Sequence, residues 1–185
     1  MFHIKDDKRT QRSAALVMKG LARCLQSKPF CDITVSDLWR ESGVSRATFY
    51  RLFDNVADVV AYQCEVLAAQ IEERYRESGS RGAEGFLPFS IAFWLENHAV
   101  LEAVFASGRT DLLQAALQAH SAYLLEAFAL PSLSEAEWEY GGAALTTMLG
   151  SLLMVWVRRE KRETAPQLCS IYHTMVREAA RLFGS

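Results

Sequence analysis

The 185 residues include 20 Lys+Arg, 22 Asp+Glu and 4 His, for a net charge of −2, and half of them are hydrophobic. That suffices for one small and one medium helical core. Proline is rare, no repeat or low-complexity tract stands out, and no useful alternating run suggests a strand, so the chain reads as all-α.

The net charge conceals an asymmetry. Residues 1–55 hold 10 Lys+Arg against 6 Asp+Glu, whereas residues 56–185 hold 10 against 16. A basic end on a mildly acidic body fits nucleic-acid binding at that end. The expected division is therefore 1–55 and 56–185.

In chain order, a helix of about 20 residues is expected from Lys8 to Gln26, with Ala14, Val17, Leu21 and Leu25 on one face. Lys5, Lys8, Arg9 and Arg12 cluster at its start, and Pro29 ends it. Residues 33–53 follow. Thr34 is a good N-cap, supported by Asp37 three positions on. Val35 and Leu38 give one turn of apolar spacing. Gly43 supplies the left-handed backbone that ends the helix. Ser45 caps the next one, in which Phe49 and Leu52 fall on one side and Arg46, Ala47, Tyr50 and Arg51 on the other. So short a helix cannot bury both sides. The pattern is a helix-turn-helix that offers its second helix to the DNA major groove. Arg46 is placed to read a base edge, with Arg51 assisting. Ser45, Thr48 and Tyr50 supply hydroxyls for the backbone phosphates, Thr34 is a further candidate DNA-binding position, and Ala47 shares the exposed face. An ordinary helical hairpin with a solvated charged face is the alternative reading. Asp54-Asn55 then caps a long helix from Val56 toward Tyr75.

Ile33-Thr34-Val35, Gly43-Val44-Ser45, Thr48-Phe49-Tyr50 and Phe53 together resemble the tetracycline-repressor (TetR) family of transcription regulators. They cover about the first third of the chain, and the remainder is similar in length, helix number and character. The resemblance implies a homodimer on double-stranded DNA with a palindromic operator, responsive to a small apolar or aromatic effector. Two positions depart from the family pattern. Trp39 stands where a small residue is usual, implying altered packing or an outward-turned ring. Val56 stands where a phosphate-contacting Lys is usual.

A break at Ser78-to-Ala83 opens the second domain. Helices are expected over 84–96, 98–106, 109–129, 134–161 and 165–183, separated by cap residues, Gly or Pro. The middle helices are rich in aromatics. Similar proteins hold effectors among these helices, so Phe89, Phe93, Phe105, Leu113, Leu117, His120, Tyr123 and Met148 are candidate pocket residues, with His98, Arg109 or His120 as polar handles. For any one of them, core packing is the better reading.

From Tyr140 to Val157 run 18 uncharged residues, followed by Arg158, Arg159, Lys161 and Arg162. That touches the lower limit for a membrane span with a positive flank. Three glycines, two threonines and a serine interrupt it, and no second hydrophobic span accompanies it. A buried dimer helix fits better, and no membrane partner is expected. Gly142, Thr146 and Gly150 share one face that permits close helix approach. Leu168, Tyr172, Met175, Ala179 and Leu182 form a stripe on the last helix. The resemblance implies a four-helix dimer bundle built from 134–161 and 165–183, and these residues are its candidate seam.

Cys24, Cys31, Cys64 and Cys169 show no paired spacing and read as reduced, packed thiols, with a thiol sensor as the alternative. His3, His98, His120 and His173 lack metal-ligand spacing. There is no phosphate-binding loop, nucleophile elbow or paired-carboxylate motif. No catalysis, metal or cofactor is expected. Residues 1–13 are polar and charged, unlike a secretory signal, which points to the cytoplasm. The expected function is a dimeric repressor released from its operator by an effector. The alternatives are a DNA-binding regulator without an effector and a helical protein-interaction module.

Overall fold

A computed structural model describes residues 2–4, 7–79, 85–128 and 133–183, without the side chains of residues 180, 182 and 183. Its helices are α1 (Lys8–Ser27), α2 (Val35–Ser42), α3 (Arg46–Leu52), α4 (Val56–Glu77), α5 (Phe86–Glu96), α6 (His98–Ser107), α7 (Thr110–Gln118), α8 (Ser121–Ala127), α9 (Glu135–Arg158) and α10 (Ala165–Phe183). A 3-10 turn at Phe30–Asp32 follows α1. The all-α expectation holds.

The first three helices form one small layer. Asp7 caps α1 by accepting from the Thr10 amide at 2.9 Å. The amphipathic α1 then buries Ala14, Val17, Leu21 and Cys24 against α2, α3 and α4. Gly20 marks the closest approach. A Cβ there would lie 3.0 Å from the Ser42 amide nitrogen and 3.2 Å from the Leu38 carbonyl. Trp39 is half-buried and packs against this core.

The rest is built around α4. Helices α5, α6 and α7 pack against it, α9 covers α6, α7 and α8, and α10 lies on α5 and α9. Ile71, Trp94, Leu101, Val104 and Leu153 are fully buried there. The sequence makes α4 the one connection between the layers, but α6 also packs against α1 and the 3-10 turn.

Three expectations change. The single helix over 109–129 is two, because the backbone turns at Ala119-His120 as the His120 ring faces inward to the Ala68 carbonyl. Helix α9 stops at Arg158, and Glu160 and Lys161 follow with left-handed φ of 61° and 59°. The Gly142, Thr146, Gly150 face packs inside its own chain. A Cβ on Gly142 would meet the Ser121 Cβ at 2.9 Å, and one on Gly150 would meet Leu117 and Gln114 of α7 at 3.3 Å. Thr146 accepts from Gln114 Nε2 at 3.1 Å and donates to Gln118 Oε1 at 2.7 Å. Leu168 and Tyr172 likewise face inward, with the Tyr172 hydroxyl donating to the Leu145 carbonyl at 2.7 Å. Met175 is exposed and Ala179 half-buried, while the Leu182 side chain lies outside the described residues. So do Lys5, Ser80 to Ala83 and the Pro131-Ser132 break.

Helix α9 is long and apolar enough to cross a membrane by composition, and 44% of its most apolar 18-residue window is buried within the chain.

Candidate nucleic-acid interface

The helix-turn-helix is fixed by its caps. Thr34 Oγ1 accepts from the Asp37 amide at 3.2 Å, and Asp37 accepts from the Thr34 amide at 2.8 Å, closing a capping box. Asp37 also accepts from Lys28 Nζ and lies 3.5 Å from Arg40. The Lys28 hydrogen bond, followed by those from Thr34, holds the Asp37 carboxyl well below the usual carboxylate range. The αL conformation of Gly43, φ 72°, ends α2. Ser45 Oγ accepts from the Thr48 amide at 3.2 Å and donates to Thr48 Oγ1 at 3.0 Å.

These contacts decide which way α3 faces. Phe49 and Leu52 are buried, Thr48 is half-buried, and Ser45, Arg46, Ala47, Tyr50 and Arg51 are exposed. The Arg46 guanidinium lies 5.6 Å from the centroid of the Tyr50 ring, whose edge abuts Phe49. Among the described residues, Arg46 and Arg51 form no ion pair, whereas Arg23 and Arg40 are paired with Glu41 and Asp37. Two unpaired cations therefore sit on the outward face of α3, beside the equally unpaired Lys8, Arg9, Arg12 and Lys19 of α1. Val56 is half-buried against the core, so the start of α4 presents no cation there.

The first residues add contacts that the sequence reading missed. Phe2 bridges to Phe53, the His3 amide donates to the Leu52 carbonyl at 2.8 Å, and the Phe2 ring meets Tyr62 at 5.3 Å. His3 Nε2 lies 3.2 Å from Asp54. A cleft of about 330 Å³, lined by His3, Arg9, Thr10 and Arg51 among others, opens where α1 begins and α3 ends. No periodic signal marks residues 2–4. Gly20 was also missed, although a glycine on the apolar face of a helix is a legible sign of close packing.

No family model and no curated protein matches the sequence. Solved structures do. Lin0861 from Listeria innocua aligns with a TM-score of 0.70 at 20% identity, over 97% of this chain and 95% of that one. A TetR transcriptional regulator from Streptococcus agalactiae 2603V aligns with a TM-score of 0.63 at 19% identity, over 92% and 96%. The dihydroxyacetone kinase operon activator DhaS aligns with a TM-score of 0.65 at 15% identity, over 92% and 97%. This chain has the TetR fold. Helices α1 to α3 are the helix-turn-helix layer of that fold, and α4 to α10 are its larger helical body.

Within the TetR fold, the candidate pocket residues separate into groups. Phe89, Tyr123 and His120 gather around Tyr75 and Phe86, with the Phe86 and Tyr123 rings stacked at 4.5 Å and the His120 ring 5.7 Å from Phe86. Phe93 is buried with Arg74 over its ring. Leu113 and Leu117 are buried on α7 against α9, Met148 is half-buried, and Phe105 is 45% exposed. Among the described residues no single cavity is lined by all eight. His98 Nδ1 bonds the Leu95 carbonyl locally, and Arg109 is paired with Asp111. His120 is the polar group directed inward. Its Nε2 lies 2.7 Å from the Ala68 carbonyl, its Nδ1 is buried without a partner, and burial pushes its pKa down. Beside it the Tyr123 hydroxyl donates to Glu72 of α4 at 3.2 Å. All four cysteines are free thiols, and burial pushes Cys64 up to about 12.

Proposed function

We propose that this chain is a sequence-specific DNA-binding regulator that acts as a homodimer and represses until a small effector releases it. One observation carries the reading: the capped, rigidly packed α3 turns Arg46, Ala47, Tyr50 and Arg51 outward with both arginines unpaired. Arg46, at the N-terminal end of the reading helix, reaches a guanine edge. Ser45, Thr48 and Tyr50 hold backbone phosphates, Arg51 and Arg9 flank them, and Thr34 lies at the same face with its hydroxyl engaged by Asp37. One such helix makes few contacts, so two act together on a palindromic site.

The effector reading rests on the aromatic group around Phe86 and on His120. A ligand that donates to His120 Nδ1 would engage a ring already bonded to α4, and Tyr123 offers a second bond to the same helix. Moving α4, or α6 against α1 and the 3-10 turn, changes how the paired reading helices are spaced. The effector lowers DNA affinity only by its preference for the incompetent spacing.

A salt titration on a palindromic duplex tests the DNA reading. Affinity should fall steeply as salt rises, because phosphate contacts release counterions. Absence of any salt-dependent duplex binding would favour a helical module that keeps the hairpin only as structure.

A further inference from the structure

Residues 2–4 run back along the end of the reading helix. Phe2 bridges to Phe53, the His3 amide donates to the Leu52 carbonyl at 2.8 Å, and the Phe2 ring packs edge-on against Tyr62 of α4. This strap holds the His3 ring in the wall of the cleft of about 330 Å³ where α1 begins and α3 ends. Arg9 and Thr10 of α1, its cap Asp7, and Arg51 and Leu52 of α3 form the other walls. The charges around the cleft nearly cancel while His3 is neutral. Arg9 and Arg51 form no ion pair among the described residues. Asp7 caps α1 through the Thr10 amide, and Asp54, in the turn to α4, faces His3. From α4, Tyr62 carries no charge and the buried Asp58 accepts from the Asp54 amide.

His3 decides this balance. Its Nε2 lies 3.2 Å from Asp54 Oδ1. A carboxylate only accepts, so the ring proton sits on Nε2 and Nδ1 carries a lone pair, which repels a phosphate oxygen. Protonation turns Nδ1 into a donor without breaking the Asp54 bond, and it adds a positive charge to the cleft. Histidine makes this change within about pH 5 to 8. The His3 side chain is 53% exposed, so a phosphate can reach it.

We propose that this cleft seats a DNA backbone phosphate held by Arg9, Arg51 and protonated His3, so that duplex binding takes up a proton at each reading helix. The proposal rests on the DNA-binding reading above and extends the interface to residues ahead of the helix-turn-helix. A phosphate beside the ring stabilises the imidazolium. By linkage, the protonated chain then binds DNA more tightly. Affinity is highest below the histidine range and falls as pH rises through it. The contact is to the backbone, so it carries no base preference.

The test is fluorescence anisotropy of the full chain on a labelled mixed-sequence duplex of about three helical turns. It is run at constant ionic strength at about pH 5.5 and about pH 8. The unaltered chain should bind at least about tenfold more tightly at the lower pH, with a salt slope steeper by about 0.9 for each phosphate gained. His3→Gln keeps a donor for Asp54 but never becomes charged, and it should lose most of this pH dependence. In NMR titrations the His3 ring should hold its proton to higher pH when the duplex is present. Equal pH dependence in His3→Gln, no pH dependence in the unaltered chain, or a His3 ring that titrates alike with and without duplex overturns the proposal and leaves the DNA-binding reading standing. A chain that binds no duplex at either pH overturns both.

Discussion

The His120 imidazole donates from Nε2 to the Ala68 carbonyl at 2.7 Å, tying the α7–α8 turn to the middle of α4. A carbonyl can only accept, so the proton sits on Nε2 and the buried Nδ1 carries a lone pair. Burial depresses the pKa of this ring below its ordinary value near 6.5. The unfolded chain therefore takes up the proton first. The contribution of His120 is present above about pH 6.5 and is lost as pH falls through the folded value. Urea midpoints measured from pH 8 to pH 5 should decline, and His120→Gln should flatten that decline. An equally steep decline in the variant would place the titrating group elsewhere.

Gly20→Ala should destabilise the helix-turn-helix. Alanine gains about 1 kcal/mol of helix propensity, but its Cβ would press on the backbone of α2 at Ser42 and Leu38, which has little room to yield. Overpacking of this kind costs about 1–3 kcal/mol, so a net loss near the lower end is expected from denaturant unfolding. A more stable variant would mean that α1 and α2 can separate freely.

Thr146 is fully buried inside one chain and bonded to Gln114 and Gln118. Thr146→Val should cost about 1 kcal/mol, because it removes the hydroxyl that bonds two half-buried glutamine amides, which water can partly reach. Its dimer dissociation constant should not change. A variant that melts normally but dissociates would return this face to the dimer seam.

The helix-turn-helix was legible because its signals are local. Thr34, Gly43 and Ser45 set caps within three or four residues of themselves, and the burial of Phe49 and Leu52 follows from helical period alone. The inward face of α9 was misread for an equally physical reason. The spacing of Gly142, Thr146 and Gly150 shows that some helix approaches closely there, but not whether it belongs to the same chain. Here α7 and α8 occupy it. The break at Ala119-His120 carries no Gly or Pro. It accompanies a long-range bond to Ala68, 52 residues away, which periodicity cannot register. The strap formed by Phe2 and His3 depends in the same way on Phe53, Leu52 and Tyr62.

Thiol labelling separates the cysteines by environment. Cys64, pushed up to about 12 by burial, and the buried Cys24 should resist alkylation in the folded protein. The exposed Cys31 should label quickly. Rapid loss of the Cys64 thiol under native conditions would show that α4 opens far more readily than its packing indicates.

The most direct measurement is selection of bound duplexes from a random-sequence pool, run in parallel on the unaltered chain and on Arg46→Ala. The unaltered chain should enrich a palindrome whose half-sites are separated by whole helical turns. Arg46→Ala should lose about 1–3 kcal/mol of affinity and relax preference at one guanine position in each half-site, because that position is read by a bidentate contact. Tyr50→Phe should weaken all sequences alike. Enrichment of no common sequence by the unaltered chain, or an identical motif from Arg46→Ala, would contradict the assignment of α3 as the reading helix.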